Sequence, residues 1–170
     1  MLRLIGGGLI AAAGVGMALQ YRLQNLRQLT ELRQGAELLS LMRSELEARR
    51  TPLPELLSLM RKSCAGSAAR FSSLLSEKLP EMGERSFSEL WNDCVNRAFP
   101  HLLPEERRKL CSVGKLLGRC ELASQLTALD RCTGELLGAE KRLRDGLALR
   151  GRSAAGLFCV GTLLLMIVLW

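Results

Sequence analysis

The side chains that most often carry out chemistry are present in this chain, but their spacing predicts no reactive site. The chain has six cysteines without a C-x-x-C pair, and His101 is its single histidine. A structural zinc site needs four such ligands in close pairs, so we predict no metal centre. Several cysteines fall at apolar helical positions, where a thiol acts as a small hydrophobic group, so we expect reduced thiols; disulfides are an alternative that no spacing supports. The six are Cys64, Cys94, Cys111, Cys120, Cys132 and Cys159.

Catalytic and nucleotide-binding motifs do not occur in the sequence either. It contains no P-loop, no G-x-S-x-G and no H-E-x-x-H motif. The run Gly6-Gly7-Gly8 is rich in glycine, but it lies in an apolar stretch that cannot cradle a phosphate. His101 lies in a turn between two prolines, with no base or metal ligand near it in sequence. We therefore predict that the chain is not an enzyme and needs no cofactor.

The elements that carry these residues are predicted to be helices. Apolar residues make up 48% of the chain and aromatic residues only 4%, a balance that favours helix packing over a β-rich core. Between the termini, apolar residues recur every three or four positions, the period of an amphipathic helix. We predict an all-α fold, a helical bundle of about six helices between two terminal transmembrane helices. The first long stripe is Leu23, Leu26, Leu29, Leu32, Ala36, Leu39, Met42 and Leu46.

Two uncharged runs, residues 4–19 and 154–170, stand at the ends of the chain. The second would be about 25 Å long as a helix, close to the hydrocarbon thickness of a bilayer. We interpret residues 1–21 and 153–170 as transmembrane anchors and residues 22–152 as the domain between them. A buried core helix is the alternative for the second run, and a cleaved signal peptide is the alternative for the first.

The excess of basic charge, +7 in all, lies largely beside these two runs. Arginines and lysines on the inner flanks predict that the domain between them is cytoplasmic, by the positive-inside rule. Lipid and topology explain this charge better than nucleic acid does, so we predict no nucleic-acid partner. Gly8, Ala12 and Gly16 repeat at four-residue spacing and predict that the two terminal helices pack together in the membrane.

The segment Thr51-Pro52-Leu53-Pro54-Glu55 predicts a corner between two helices. Pro52 disfavours helical geometry in the residue before it, so the first long helix should end there. Thr51 is then predicted to cap the next helix, with prolines tolerated in its first turn and Glu55 near the positive end of its dipole.

Further along, several signals mark the starts and ends of helices. Ser86 and Glu89 fit a capping box, and the helix that follows places Trp91 on its buried stripe. Gly118 is predicted to end a helix that begins near Pro104. The final helix is predicted to start near Glu121 and could continue into the terminal run.

Three motifs, taken in order, resemble the stage III sporulation protein AB family. Ser44-Glu45-Leu46 followed by residues 51–57 is the most specific, Phe87 through Trp91 is the second, and residues 110–125 are the third. The resemblance covers nearly the whole chain. The residues that it marks as family-motif or interaction candidates are Glu45, Thr51, Pro52, Leu53, Pro54, Glu55, Trp91, Gly114, Gly118 and Gln125. For Glu45 a solvated helix face is the alternative, and for Trp91 a core position.

The resemblance implies a membrane component of the channel apparatus between mother cell and forespore, in the mother-cell membrane around the forespore. The family's domain is similar to the F-type platform proteins of type II secretion machines. The implied partners are the other stage III sporulation channel proteins, among them the secretion-type ATPase stage III sporulation protein AA. Two other functions stay open: a secreted or periplasmic helical protein with a cleaved signal peptide, and a nucleic-acid-binding helical domain suggested by the basic charge.

Overall fold

The computed structural model describes the backbone of residues 2–49, 51–117 and 121–169, and the side chains of residues 16, 19–49, 51–117 and 121–148. Within these residues the chain forms α-helices, one short 3-10 turn and no β-strand. The all-α prediction is confirmed. In chain order the helices are α1 (Leu2–Arg49), α2 (Leu53–Ser63), α3 (Gly66–Lys78), the 3-10 turn (Leu79–Glu81), α4 (Phe87–Ala98), α5 (Pro104–Leu117) and α6 (Leu122–Leu169).

The bundle is built on two long helices, α1 and α6, which lie side by side and antiparallel. Arg43, near the end of α1, pairs with Asp130 near the start of α6 at 2.6 Å. Tyr21 and Leu147, from the opposite halves of the two helices, line one cavity. The sequence predicted about six helices and allowed the first and last to continue into the terminal runs, and six α-helices are present among the described residues. Four shorter helices lie between two long ones, and each terminal run continues without a break into α1 or α6.

The bundle therefore has two different ends. We call the end where α1 turns into α2 and α5 turns into α6 the corner end. The opposite end, where residues 19–31 of α1 lie near residues 139–148 of α6, is called the base end. The terminal runs join the bundle at the base end.

Between the two ends lies an apolar core centred on Trp91, which is completely buried, as the sequence predicted. Its ring lies edge-on to Phe71, with 4.7 Å between the ring centroids, and Phe71 in turn lies 6.2 Å from Phe99. The indole Nε1 donates a hydrogen bond to the carbonyl of Leu110 at 2.9 Å, so the one polar atom of the ring is satisfied. This bond and the ring contacts fix α3, α4 and α5 against one another.

The helix starts follow local sequence signals. Gly66 opens α3 with a φ of +58°, a conformation that glycine adopts without strain. The capping box before α4 is confirmed: Ser86 Oγ accepts from the backbone of Glu89, and the Glu89 carboxylate accepts from the backbone of Ser86, both at 3.3 Å. α6 begins at Leu122, as predicted.

The predicted apolar stripe of α1 is correct in its second half and wrong in its first. Leu32, Ala36, Leu39 and Met42 are buried, whereas Leu23 is 55% and Leu26 is 48% exposed. Over this first half, three polar residues face inward instead. They are Asn25, Gln28 and Glu31, each less than one-tenth exposed. The helical period was correct, but at the base end the buried face carries hydrogen-bonding groups rather than leucines.

No helix among the described residues is both long and apolar enough to cross a membrane. Apart from Gly16 and Leu19, the side chains of the two terminal runs lie outside the described residues. The predictions that these runs span a membrane, and that they pack through Gly8, Ala12 and Gly16, therefore stay predictions. The predicted helix end at Gly118 also falls outside the described residues.

Candidate functional site

The predicted corner is present at the residues that the sequence indicated. α1 ends at Arg49 and α2 begins at Leu53. Pro52 takes the N-cap position with φ −58° and ψ 145°, and its carbonyl accepts from the backbone of Leu56 at 3.0 Å. Pro54 falls in the first turn of α2, where its missing N–H removes no helical hydrogen bond.

The predicted role of Thr51 as the cap of α2 is wrong. Its hydroxyl donates instead to Glu45 Oε2 at 3.2 Å, and no side chain caps α2. The reason is position: Pro52 is the N-cap, so Thr51 stands one residue too early to reach the orphan N–H groups. Glu45 is half-buried and tied to the corner by this bond, so it is not a fully solvated position.

An apolar cleft opens beside the corner, with a volume of about 260 Å³. Two of its residues are polar, Thr51 and Gln125, and the amide of Gln125 donates to the carbonyl of Leu117 at the end of α5, at 3.1 Å. Leu53 is half-buried at the cleft, and Met82 is 48% exposed. We call this surface the corner cleft; it is lined by Met42, Leu46, Thr51, Leu53, Leu56, Met82, Phe87, Leu117 and Gln125.

The structure thus divides the predicted interaction residues into three groups. Thr51, Leu53 and Gln125 come together in the corner cleft from distant parts of the sequence. Pro52, Pro54 and Glu55 are exposed on the corner beside it, and Glu45 is held under it by Thr51. Trp91 and Gly114 are not part of this surface but of the core, and Gly118 lies outside the described residues.

Gly114 is needed for the close approach of α5 to α4. A Cβ at this position would lie 2.4 Å from Cγ of Trp91 and 2.5 Å from its Cδ1. No side-chain carbon can stay at such distances, so any other residue here must push the two helices apart. The role of Gly114 is therefore to pack the core and not to contact a partner.

Sequence reasoning missed a set of polar residues on the inner face of α1 at the base end. The carboxylate of Glu31 accepts from the backbone N–H of His101 at 2.8 Å and from the hydroxyl of Ser67 at 3.4 Å. It therefore fastens two turns, α2–α3 and α4–α5, to α1. Burial raises the pKa of Glu31 above its ordinary value, and the hydrogen bond from His101 partly opposes this. We call the set the polar seam: Asn25, Gln28, Glu31 and Gln34.

Two other members of the polar seam make similar ties. Gln28 donates to the buried carboxylate of Glu106 at 3.2 Å, and Glu106 accepts from the backbone of Leu103 at 2.9 Å. Gln34 accepts from the backbone of Ser67 at 2.8 Å. A sequence signal for the seam does exist, because its members stand at every third position, which places each about 60° around α1 from the one before, in a band that winds round the helix. The leucines interleaved with them concealed it.

Burial raises the pKa of all four cysteine thiols in the described part of the chain. Cys64, Cys94, Cys111 and Cys132 are free thiols. Burial raises the pKa of Cys94 to about 11 and that of Cys132 to about 12, so both stay protonated and unreactive near neutral pH. Within the described part of the chain, no group of histidines, cysteines and carboxylates is arranged to hold a metal ion.

Comparison with known families agrees with the motif series. A family model described as stage III sporulation protein AB matches residues 3–170. The chain belongs to the stage III sporulation protein AB family.

A solved structure titled stage III sporulation protein AB (SpoIIIAB) has the same fold. It superposes with a TM-score of 0.64 at 19% sequence identity, covering 72% of this chain and 98% of that chain. Comparison with curated protein sequences returned no match. As a member of the stage III sporulation protein AB family, the chain uses its three motifs in different ways. The first motif forms the corner, the second supplies Trp91 to the core, and the third joins the core at Gly114 to the corner cleft at Gln125.

Proposed function

We propose that this chain is a non-enzymatic membrane component of the channel apparatus between mother cell and forespore, where it serves as an assembly platform of the secretion type. The match to the stage III sporulation protein AB family over residues 3–170 is the observation that carries this proposal. The helical domain, residues 22–152, would work in the cytoplasm between two membrane anchors. The resemblance of the family to F-type platform domains supports a scaffold role rather than catalysis.

The corner cleft is the surface that we assign to the partner. The corner end lies about 45 Å along α1 from Leu19, where the first apolar run ends, so a partner in the cytoplasm could reach it without meeting the membrane. At about 260 Å³, the cleft is smaller than most pockets for small molecules. An apolar side chain from a protein partner is the occupant that suits its size and its lining. We propose the secretion-type ATPase stage III sporulation protein AA as that partner.

Substitution at the mouth of the cleft tests the proposal. Leu53→Asp places a charge at the cleft, whereas Ser58→Asp places the same charge on an exposed position of the same helix. We expect full-length Leu53→Asp protein to lose the ATPase on co-purification from sporulating cells and to reduce the number of spores. Ser58→Asp should change neither. Equal recovery of the ATPase with both variants, at equal protein levels, would contradict the assignment of the cleft.

The membrane part of the proposal needs its own test. Reporter fusions within residues 60–140 should report a cytoplasmic domain, and protein from membranes should retain Met1. An extracytoplasmic reporter result would contradict the topology. A mature chain that starts near Gly14 would favour the alternative of a secreted helical protein with a cleaved signal peptide.

A further inference from the structure

A second cavity, at the base end, has a different chemical character from the corner cleft. It encloses about 790 Å³ between α1, α6 and the start of α5, a volume typical of pockets that bind small molecules. Charged and polar side chains from all three helices line it beside apolar ones. We call it the base cavity; the lining residues that matter here are Asn25, Arg27, Leu103, Glu105, Arg142 and Leu147.

Three charged side chains at the base cavity have no ion-pair partner among the described residues. Within the described residues, Arg27, Arg142 and Glu105 form no ion pair, although eight ion pairs exist elsewhere in the domain. All three side chains are exposed. Two guanidinium groups from different helices can bind a phosphate, and a carboxylate nearby can bind an ammonium group.

Asn25 adds an independent observation. It lines the base cavity, is 9% exposed, and its Nδ2 has no hydrogen-bond partner. A buried donor without a partner is costly, and such groups in folded proteins commonly await a ligand, ion or water. Because Nδ2 itself is buried, the Asn25 side chain must turn toward the cavity before an ester or phosphate oxygen there can accept from it.

The position of the base cavity indicates the source of such a ligand. Tyr21 and Gln28 lie about 3 and 13 Å along α1 from Leu19, and Leu147 lies about 10 Å along α6 from Ala154. If the terminal runs span the membrane, this is the depth of the phospholipid headgroups. Leu103, which is 52% exposed, and Leu147 offer apolar contacts beside the charged groups.

We propose that the base cavity binds the headgroup of a zwitterionic phospholipid, with Arg27 and Arg142 on the phosphate and Glu105 on the ammonium group. This inference rests on the membrane part of the proposed function. The carboxylate of Glu105 separates this proposal from simple attraction of basic residues to an acidic membrane surface, because an anionic lipid without an ammonium group would leave that carboxylate without a partner.

Native mass spectrometry of the full-length chain in a neutral detergent tests this binding site. With phosphatidylethanolamine and phosphatidylglycerol added in equal amounts, the wild-type chain should retain the ethanolamine lipid about tenfold better. Glu105→Gln should lose this preference, and Glu140→Gln, in a groove on another face of α1 and α6, should keep it. Equal retention of the two lipids by the wild-type chain would overturn the proposal.

The arginine contacts are tested in the same way. Arg142→Gln should weaken retention of both lipids by about tenfold, whereas Arg144→Gln, two residues along the same helix in that other groove, should change it less than twofold. Equal loss in the two variants would overturn the assignment of the phosphate site. Glycerophosphoethanolamine, which has the same headgroup without acyl chains, should not displace the lipid at equal concentration. Displacement would overturn the lipid as the ligand.

These results separate the two proposals. If the wild-type chain retains both lipids equally while the reporter fusions still show two membrane anchors, only the proposed lipid site in the base cavity is overturned. Reporter fusions that place the domain outside the cytoplasm overturn the topology, whatever lipid the detergent-solubilised chain retains.

Discussion

The corner end and the base end of the bundle are built from opposite kinds of side chain. At the corner end, leucines, methionines and Phe87 surround a small cleft that has only two polar residues. At the base end, the inner face of α1 is polar, and the polar seam holds the turns of the bundle by hydrogen bonds to their backbone. One helix, α1, supplies both surfaces, so its buried face changes character about halfway along the domain.

This difference indicates separate tasks for the two ends. An apolar cleft gains free energy by excluding water, and it accepts apolar side chains from a partner. Hydrogen bonds to backbone groups fix geometry, because each donor and acceptor must be satisfied in one arrangement. The base end is therefore the end where the turns are fixed to α1, and the corner end is the one suited to a changeable contact. The Trp91 core between them must stay intact for either task.

The shared core is expected to show the largest effect. Gly114→Ala places a Cβ against the indole of Trp91 and should reduce the free energy of unfolding by about 2–3 kcal/mol through overpacking. Urea unfolding of a fragment spanning residues 21–152 measures this. Gly134→Ala is the matched control, since a Cβ there meets no atom within 4 Å, and it should be neutral or slightly stabilising. Equal values for the two variants would show that α4 and α5 are not in close contact.

Glu31 tests whether the base end depends on hydrogen bonds. Glu31→Leu leaves the N–H of His101 and the hydroxyl of Ser67 without their acceptor, and it should cost about 2 kcal/mol in the same unfolding experiment. Glu31→Gln keeps an acceptor oxygen and should cost less than about 1 kcal/mol. If leucine were tolerated as well as glutamine, the polar seam would contribute little, and the contrast between the two ends would fail.

The same residue gives the base end a pH dependence. Burial raises the pKa of Glu31 in the folded state above its value of 4.5 in the unfolded chain. The folded state then holds the proton more tightly, so this contribution to stability is complete below pH 4.5 and is lost as pH rises through the folded pKa. The unfolding free energy of the wild type should therefore fall, relative to that of Glu31→Gln, as pH rises from 4.5 through the folded pKa. Urea unfolding at a series of pH values measures it, and a difference independent of pH would contradict the raised pKa.

The sequence predicted the core and the corner well, and it predicted the base end poorly. Leu32, Leu39 and Trp91 were identified by period alone, because a buried apolar stripe is what helical periodicity reports. Pro52 and the Ser86 capping box were identified because each affects the backbone only a few residues away: proline restricts the residue before it, and the capping box bonds nearby N–H groups. The bond from Gln28 to Glu106 joins residues 78 positions apart, so no local pattern shows that these polar groups would be satisfied inside. The corner cleft brings Thr51 and Gln125 together from distant parts of the sequence, so local patterns could not predict it either.

The proline corner is expected to give a moderate effect. Replacing Pro52 and Pro54 by Ala frees the unfolded chain and relaxes the end of α1, which should lower the unfolding free energy by about 1 kcal/mol. The larger consequence would be local, because the corner positions Leu53 at the cleft. Hydrogen exchange in residues 45–57 should rise in this variant. The exchange of residues 90–98 should stay unchanged, and a rise there would show that the corner and the core are one cooperative unit.

The smallest effect, and the most direct test of how α1 is arranged at the base end, comes from Leu26. Because this leucine is 48% exposed, Leu26→Ala should change the unfolding free energy by less than about 0.5 kcal/mol. Gln28→Ala, two residues along, removes hydrogen bonds to the buried carboxylate of Glu106 and should cost about 1 kcal/mol. Loss of a leucine would then matter less than loss of a glutamine, the reverse of what a continuous apolar stripe predicts. If urea unfolding instead gave the larger loss for Leu26, the leucines would be the buried residues, and the inner face of α1 would be apolar at both ends.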